Sequence, residues 1–163
     1  MAARRSAASR WLAGLVFCLW GCSDMKVEDF ADRHPTLVLE TFFAGRTEGW
    51  GIMQTRFGTL QKQFRIAAEG AWDPDTRTLR LTETYRFDDG RVDRLEWTIR
   101  RGDDGRYEGR EPRVDGTASG RQAGNAFHWT YRRRSPAAGD RLLAFDDWFW
   151  LLPDGVVIAR ASV

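Results

Sequence analysis

The ten residues from Thr78 to Phe87, TLRLTETYRF, alternate strictly. Leu79, Leu81, Tyr85 and Phe87 fall on one parity, and Arg80, Thr82, Thr84 and Arg86 on the other. A period of two belongs to a strand, because successive side chains point to opposite faces. Asp88-Asp89-Gly90 follows, a hairpin signal, and in residues 91–101 Leu95, Trp97 and Ile99 again share one parity. Such a chain must build half-buried antiparallel strands. The same grammar runs along the sequence, with short runs between turn residues at a spacing of about 8–12. The expected strands cover 37–43, 49–57, 60–72, 78–87, 91–101, 106–111, 113–120, 124–133, 141–151 and a last one from Val156. Within them Phe64, Ile66, Ala68, Gly70 and Trp72 share a face, as do Phe127, Trp129 and Tyr131.

The expectation is an all-β domain over residues 36–163, an antiparallel meander of about nine strands with no amphipathic helix. Open sheet edges need protection, and closure removes them. A lipocalin-like or calycin-like barrel is therefore the first architecture, and a β-sandwich the alternative. The 8 Trp, 10 Phe and 3 Tyr in 163 residues are ample for one such core.

The N-terminal region has a different character. Residues 1–10, MAARRSAASR, are basic, and residues 11–21, WLAGLVFCLWG, are apolar. These are the n-region and h-region of an export signal. The run is too short for a membrane span of about 20 residues. It ends Leu19-Trp20-Gly21-Cys22, which resembles the lipobox of bacterial lipoproteins. That resemblance implies cleavage after residue 21 and acylation of Cys22; Cys18 leaves with the signal because bulky Phe17 precedes it. Residues 22–35 then form an acylated, polar tether with a helical turn, Ser23 suggests outer-membrane sorting, and no disulfide is expected. With Arg4, Arg5 and Arg10 set aside, 22 basic and 23 acidic side chains remain, a balance that does not favour nucleic acid.

Several segments together resemble domain-of-unknown-function family 3833, lipoproteins of Gram-negative bacteria. They are Phe42-Phe43-Ala44-Gly45, Gly49-Trp50-Gly51, Thr82-Glu83, Phe87-Asp88-Asp89-Gly90, Arg94-Leu95-Glu96-Trp97, Tyr107-Glu108-Gly109, Val114 to Gly120, Gly124-Asn125-Ala126 and Phe145-Asp146-Asp147-Trp148. The resemblance implies an envelope lipoprotein and brings no activity with it. The chain departs from the family pattern at Ala159, where members carry Asn, and in reaching Val163 without a further Gly-containing strand. Closure at the last strand is accordingly the open point of the expected barrel.

Glu83 is the residue on which a functional reading turns. Alternation sets it among Leu79, Leu81, Tyr85 and Phe87, where an unpaired carboxylate is costly. It calls for an arginine partner or a wet cavity, unless the register places it outside. Arg94 is the expected partner, brought inward by a bulge near Asp93. Asn125 shares the face of Phe127 and invites core amide bonding or ligand contact. Asp146 and Asp147 fall on opposite faces, one of them capping a turn or pairing with arginine. His34 and His128 are too few for a metal set, and neither metal nor cofactor is expected. Arg132-Arg133-Arg134 reads as a solvated strand edge, or as a contact for anionic headgroups. Trp50, Trp72, Trp97 and Trp129 line either a packed core or a pocket for a lipid-like ligand. The combined expectation is a monomeric, lipid-anchored protein on the periplasmic side of the outer membrane. It would be a non-catalytic binding module for an apolar envelope ligand, or alternatively a protein docking on an envelope assembly.

Overall fold

The computed structural model describes residues 25–163. The expected signal, residues 1–21, and Cys22 lie outside them. Nine antiparallel strands form one sheet in sequence order. They are β1 (Gly45–Gln54), β2 (Leu60–Asp73), β3 (Thr78–Phe87), β4 (Val92–Arg101), β5 (Arg106–Arg110), β6 (Ala118–Ala123), β7 (Ala126–Ser135), β8 (Arg141–Leu151) and β9 (Val157–Ser162). Every connection is a hairpin; a glycine supplies left-handed backbone at turns such as Gly90, with φ 82°, and Arg77, with φ 53°, does so between β2 and β3. The sheet curls into a half-barrel. It does not close, because β1 and β9 do not pair and both remain edges.

Odd residues of β3, β4, β5 and β7 point into the concave face. Leu79, Leu81, Leu95, Trp97, Ile99, Tyr107, Phe127 and Trp129 form the buried core there. Small residues make room for large ones, since a Cβ on Gly120 would meet the Trp129 and Phe127 rings at 2.3 and 2.6 Å. Trp72 packs against the margin of this core.

One segment departs from the expected strands. Residues 37–43 hold the short helix α1 (Leu39–Phe42) in place of a strand. Four residues do not sustain a helix alone. Leu37 and Leu39, exposed 1% and 3%, anchor it to the core, each burial stabilising by roughly 2 kcal/mol. The Leu37 N–H also donates to the Gly124 carbonyl at 2.9 Å, so α1 stoppers one end of the half-barrel. The preceding 3-10 turn, Val27–Phe30, packs on the opposite, convex side. There Val27 meets Ala126 and Trp148, and Phe30 lies 6.1 and 6.2 Å from the Trp148 and Trp150 ring centres. Residues 113–117, expected as strand, form a turn with one isolated bridge, Val114 to Arg133, and β6 begins only at Ala118.

Candidate functional site

The half-barrel has two unlike ends. At the end stoppered by α1, the inner residues Leu79, Ile99, Tyr107 and Phe127 are buried. At the other, the inner residues Glu83, Tyr85, Phe87, Asp93, Tyr131 and Phe145 keep partial exposure. Polar groups gather there on the inner faces of β3, β4, β7 and β8.

Arg133 is the hub of this open end. It sits two residues beyond Tyr131 on the inward parity of β7, and its side chain is 5% exposed. Its Nε donates to Glu111 at 3.2 Å, and Nη1 and Nη2 donate to Asp93 at 3.1 and 3.2 Å. Arg113 adds a bond to Asp93 at 2.7 Å. Burial would raise the Asp93 pKa, but the hydrogen bonds from Arg133 and Arg113 outweigh it and hold the carboxyl below its usual range.

Glu83 and Asp147 are placed differently. Glu83 lies across from Leu95 on the inner face, and its Oε2 accepts from the Trp97 indole at 3.1 Å. Asp147 lies across from Trp129, and its Oδ2 accepts from the Tyr131 hydroxyl at 3.0 Å. The Trp97 and Tyr131 rings meet edge-on at 5.3 Å, so the two carboxylates hang from touching aromatic donors. Neither has a cation within ion-pair distance among the described residues. Asp147 is 8% exposed, and its Oδ1 has no hydrogen-bond partner. Burial pushes Glu83 up to about 7, against the Trp97 bond and the attraction of Arg133. Burial likewise pushes Asp147 up to about 7, and the charge of Glu83 adds to the shift. Tyr85 and Tyr131 are driven upward by burial beside these acids.

Other expected residues lie elsewhere. Arg94 is not the partner of Glu83. The β3–β4 ladder runs without a bulge from Thr78 opposite Arg100 to Arg86 opposite Val92. Arg94 therefore points outward and pairs with Glu96 at 3.0 Å, both more than half exposed. Trp50 lines no pocket within the core: it is 74% exposed on the convex side, with Arg65 5.7 Å above its ring. Trp97 and Trp129 are core residues facing each other at 5.7 Å. Asn125 sits in the β6–β7 turn, where its amide donates to the Leu151 carbonyl at 3.0 Å, the core-amide reading. Asp146 faces the convex side and meets His128 Nε2 at 3.0 Å, while His128 stacks on Trp148 at 4.2 Å. The residues that sequence reasoning missed are Arg133, Asp93, Glu111 and Tyr131. Parity with Phe127 and Trp129 was the signal that could have placed Arg133 inside. Among the described residues no three His, Cys, Asp or Glu side chains converge as a metal set.

The fold and this end together describe an all-β meander curled into a half-barrel, with acidic and aromatic side chains at its open end. The chain belongs to the family described as "Protein of unknown function (DUF3833)", which matches residues 16–163. No curated protein and no solved structure matches the chain.

Proposed function

We propose that the chain is a lipoprotein of the outer membrane, anchored through Cys22 on the periplasmic side. We propose further that its half-barrel is a non-catalytic holder for an apolar or lipid-like ligand of the envelope. One observation carries the binding reading. Asp147 Oδ1 is buried without a hydrogen-bond partner on the concave face, beside the half-exposed side chains of Glu83, Tyr85 and Phe87. A concave aromatic face with a few placed polar groups is the kind of surface that holds apolar molecules. Half-buried Phe64, Tyr85 and Phe87, with ring centres 5.4 to 6.4 Å apart, line the approach from β2 and β3. The test is gentle extraction of the full chain from membranes followed by mass spectrometry. Lipid in fixed proportion to protein is expected, as is incorporation of labelled palmitate that Cys22→Ser abolishes. Protein free of lipid would overturn the binding reading, and labelled Cys22→Ser would overturn the anchor.

A second reading, an interaction protein on an envelope assembly, draws on a different surface. Trp50, Ile52, Met53 and Phe57 are exposed along the β1 edge and its hairpin, and apolar exposure of this kind marks contact sites. Crosslinking in cells that traps a specific protein at Phe57 favours this reading; trapping of lipid alone defeats it.

A further inference from the structure

The open end carries an imbalance of charge that its geometry does not resolve. Four inner carboxylates, Glu83, Asp93, Glu111 and Asp147, share the space with two guanidinium groups, Arg113 and Arg133. Both arginines are committed. Every nitrogen of the Arg133 fork donates to Asp93 or Glu111, and Arg113 donates to Asp93. Among the described residues no cation forms an ion pair with Glu83 or Asp147. Asp147 Oδ1 is buried with no donor, and Glu83 Oε1 accepts no hydrogen bond from the described residues, only Oε2 being used.

We propose, building on the binding reading above, that the ligand is an amphiphile whose polar head is a protonated amine, seated between Glu83 and Asp147 with its apolar chain along the aromatic wall. An ammonium supplies three donors and one positive charge. Two of those donors satisfy Asp147 Oδ1 and Glu83 Oε1, and the charge offsets the surplus. Charge-assisted bonds in a desolvated space are the strong ones. A carboxylate or phosphate head would instead add negative charge to a site whose arginine donors are already taken. A hydroxyl head could donate to one carboxylate but would leave the charge uncompensated.

Three probes of equal chain length separate the cases: dodecylamine, dodecanol and laurate, titrated calorimetrically into the purified full chain below their micelle concentrations. At about pH 8, where both carboxylates are largely ionised, dodecylamine should bind about ten-fold or more tightly than dodecanol, and laurate weakest. Asp147→Asn should erase most of the preference for the amine, lowering dodecylamine affinity far more than dodecanol affinity. Asn can still accept the Tyr131 bond, so the variant should fold. Glu83→Gln, which can still accept from Trp97, provides the same readout independently. Laurate binding as tightly as dodecylamine, or an amine preference that survives both substitutions, overturns the inference while leaving an apolar pocket standing. Failure of all three probes to bind overturns the pocket reading itself.

Discussion

Both ends of the half-barrel bury carboxylates, but only one end satisfies them fully. At the stoppered end Glu40, on α1, is 6% exposed. It receives the Tyr107 hydroxyl at 2.9 Å and forms an ion pair with Arg101. Leu37 and Leu39 flank it in the core. At the open end Glu83 and Asp147 have aromatic donors and form no ion pair among the described residues. The stoppered end is built as structure. An open end left short of positive charge is costly to fold, and the amine-headed amphiphile proposed above would compensate for it. Glycine use follows the same division. Gly70 admits the Phe43 carbonyl, which would stand 2.0 Å from an added Cβ, and lets the α1–β1 corner settle on the sheet.

The comparison breaks most visibly at Arg133. Removing it leaves Glu111 without its cation and Asp93 with Arg113 alone, and loss of one member of a buried pair costs about 3–5 kcal/mol. Arg133→Met should lower the unfolding free energy measured by urea denaturation by that amount. At the stoppered end Arg101 is 36% exposed and can turn to water. Glu40→Gln, which still accepts from Tyr107, should therefore cost less, about 1–2 kcal/mol. Equal losses at both sites would erase the distinction between the ends.

The ionisation of Glu83 and Asp147 sharpens the contrast. Their folded values near 7 stand above the ordinary 4.5 and 3.8. Between these limits the folded chain holds protons that the unfolded chain has released. Their contribution to stability is thus intact below the ordinary values and is lost as pH rises through about 7. At about 1.4 kcal/mol per pKa unit, the two groups together make the protein weaker by roughly 3 kcal/mol or more at pH 8 than at pH 5. Glu83→Gln and Asp147→Asn should each flatten that dependence and raise the melting temperature at the alkaline end. A buried ion pair with Arg94, the partner expected from the sequence, would instead have made Glu83→Gln destabilising. A melting temperature that rises from pH 5 to pH 8 would mean that an unseen cation already neutralises the site.

Overpacking is a third, smaller effect. Gly120→Ala sets a methyl against the Trp129 and Phe127 rings and should cost about 1–3 kcal/mol, read by chemical denaturation.

Much of this was legible in the alternation. TLRLTETYRF placed Glu83 inside and Arg80, Thr82 and Arg86 outside, and Asp146 and Asp147 divide between the faces as their adjacency requires. Three features escaped for separate physical reasons. Residues 37–43 are a short apolar run, whose periodicity cannot tell a buried helix from a strand; burial of Leu37 and Leu39 decided for the helix. Arg133 was hidden within three consecutive arginines. A charge run suggests solvent, yet alternation turns its middle member to the same side as Phe127, Trp129 and Tyr131. Closure of the sheet depends on its accumulated curl, which no local pattern encodes.

Trp50 teaches the most about the edges, and its prediction is the smallest. In Gly49-Trp50-Gly51 the only large side chain invites assignment to the core. The glycines, however, are the inner residues, because the Phe64 ring occupies the space where a Gly51 side chain would stand, 2.4 Å from an added Cβ. Trp50 is thereby turned outward on the β1 edge, opposite Arg65 of β2. An exposed cation–π contact is worth about 0.5 kcal/mol, and exposed substitutions generally stay within about that range. Trp50→Ala should therefore change the denaturation midpoint of the purified protein by no more than this, and should leave amphiphile binding in the concave face untouched. The same substitution assayed in cells carries the sharper information. If a partner covers the β1 edge there, Trp50→Ala will reduce crosslinking at Phe57 while stability in vitro stays the same. Unchanged crosslinking would confine function to the concave face and its open end.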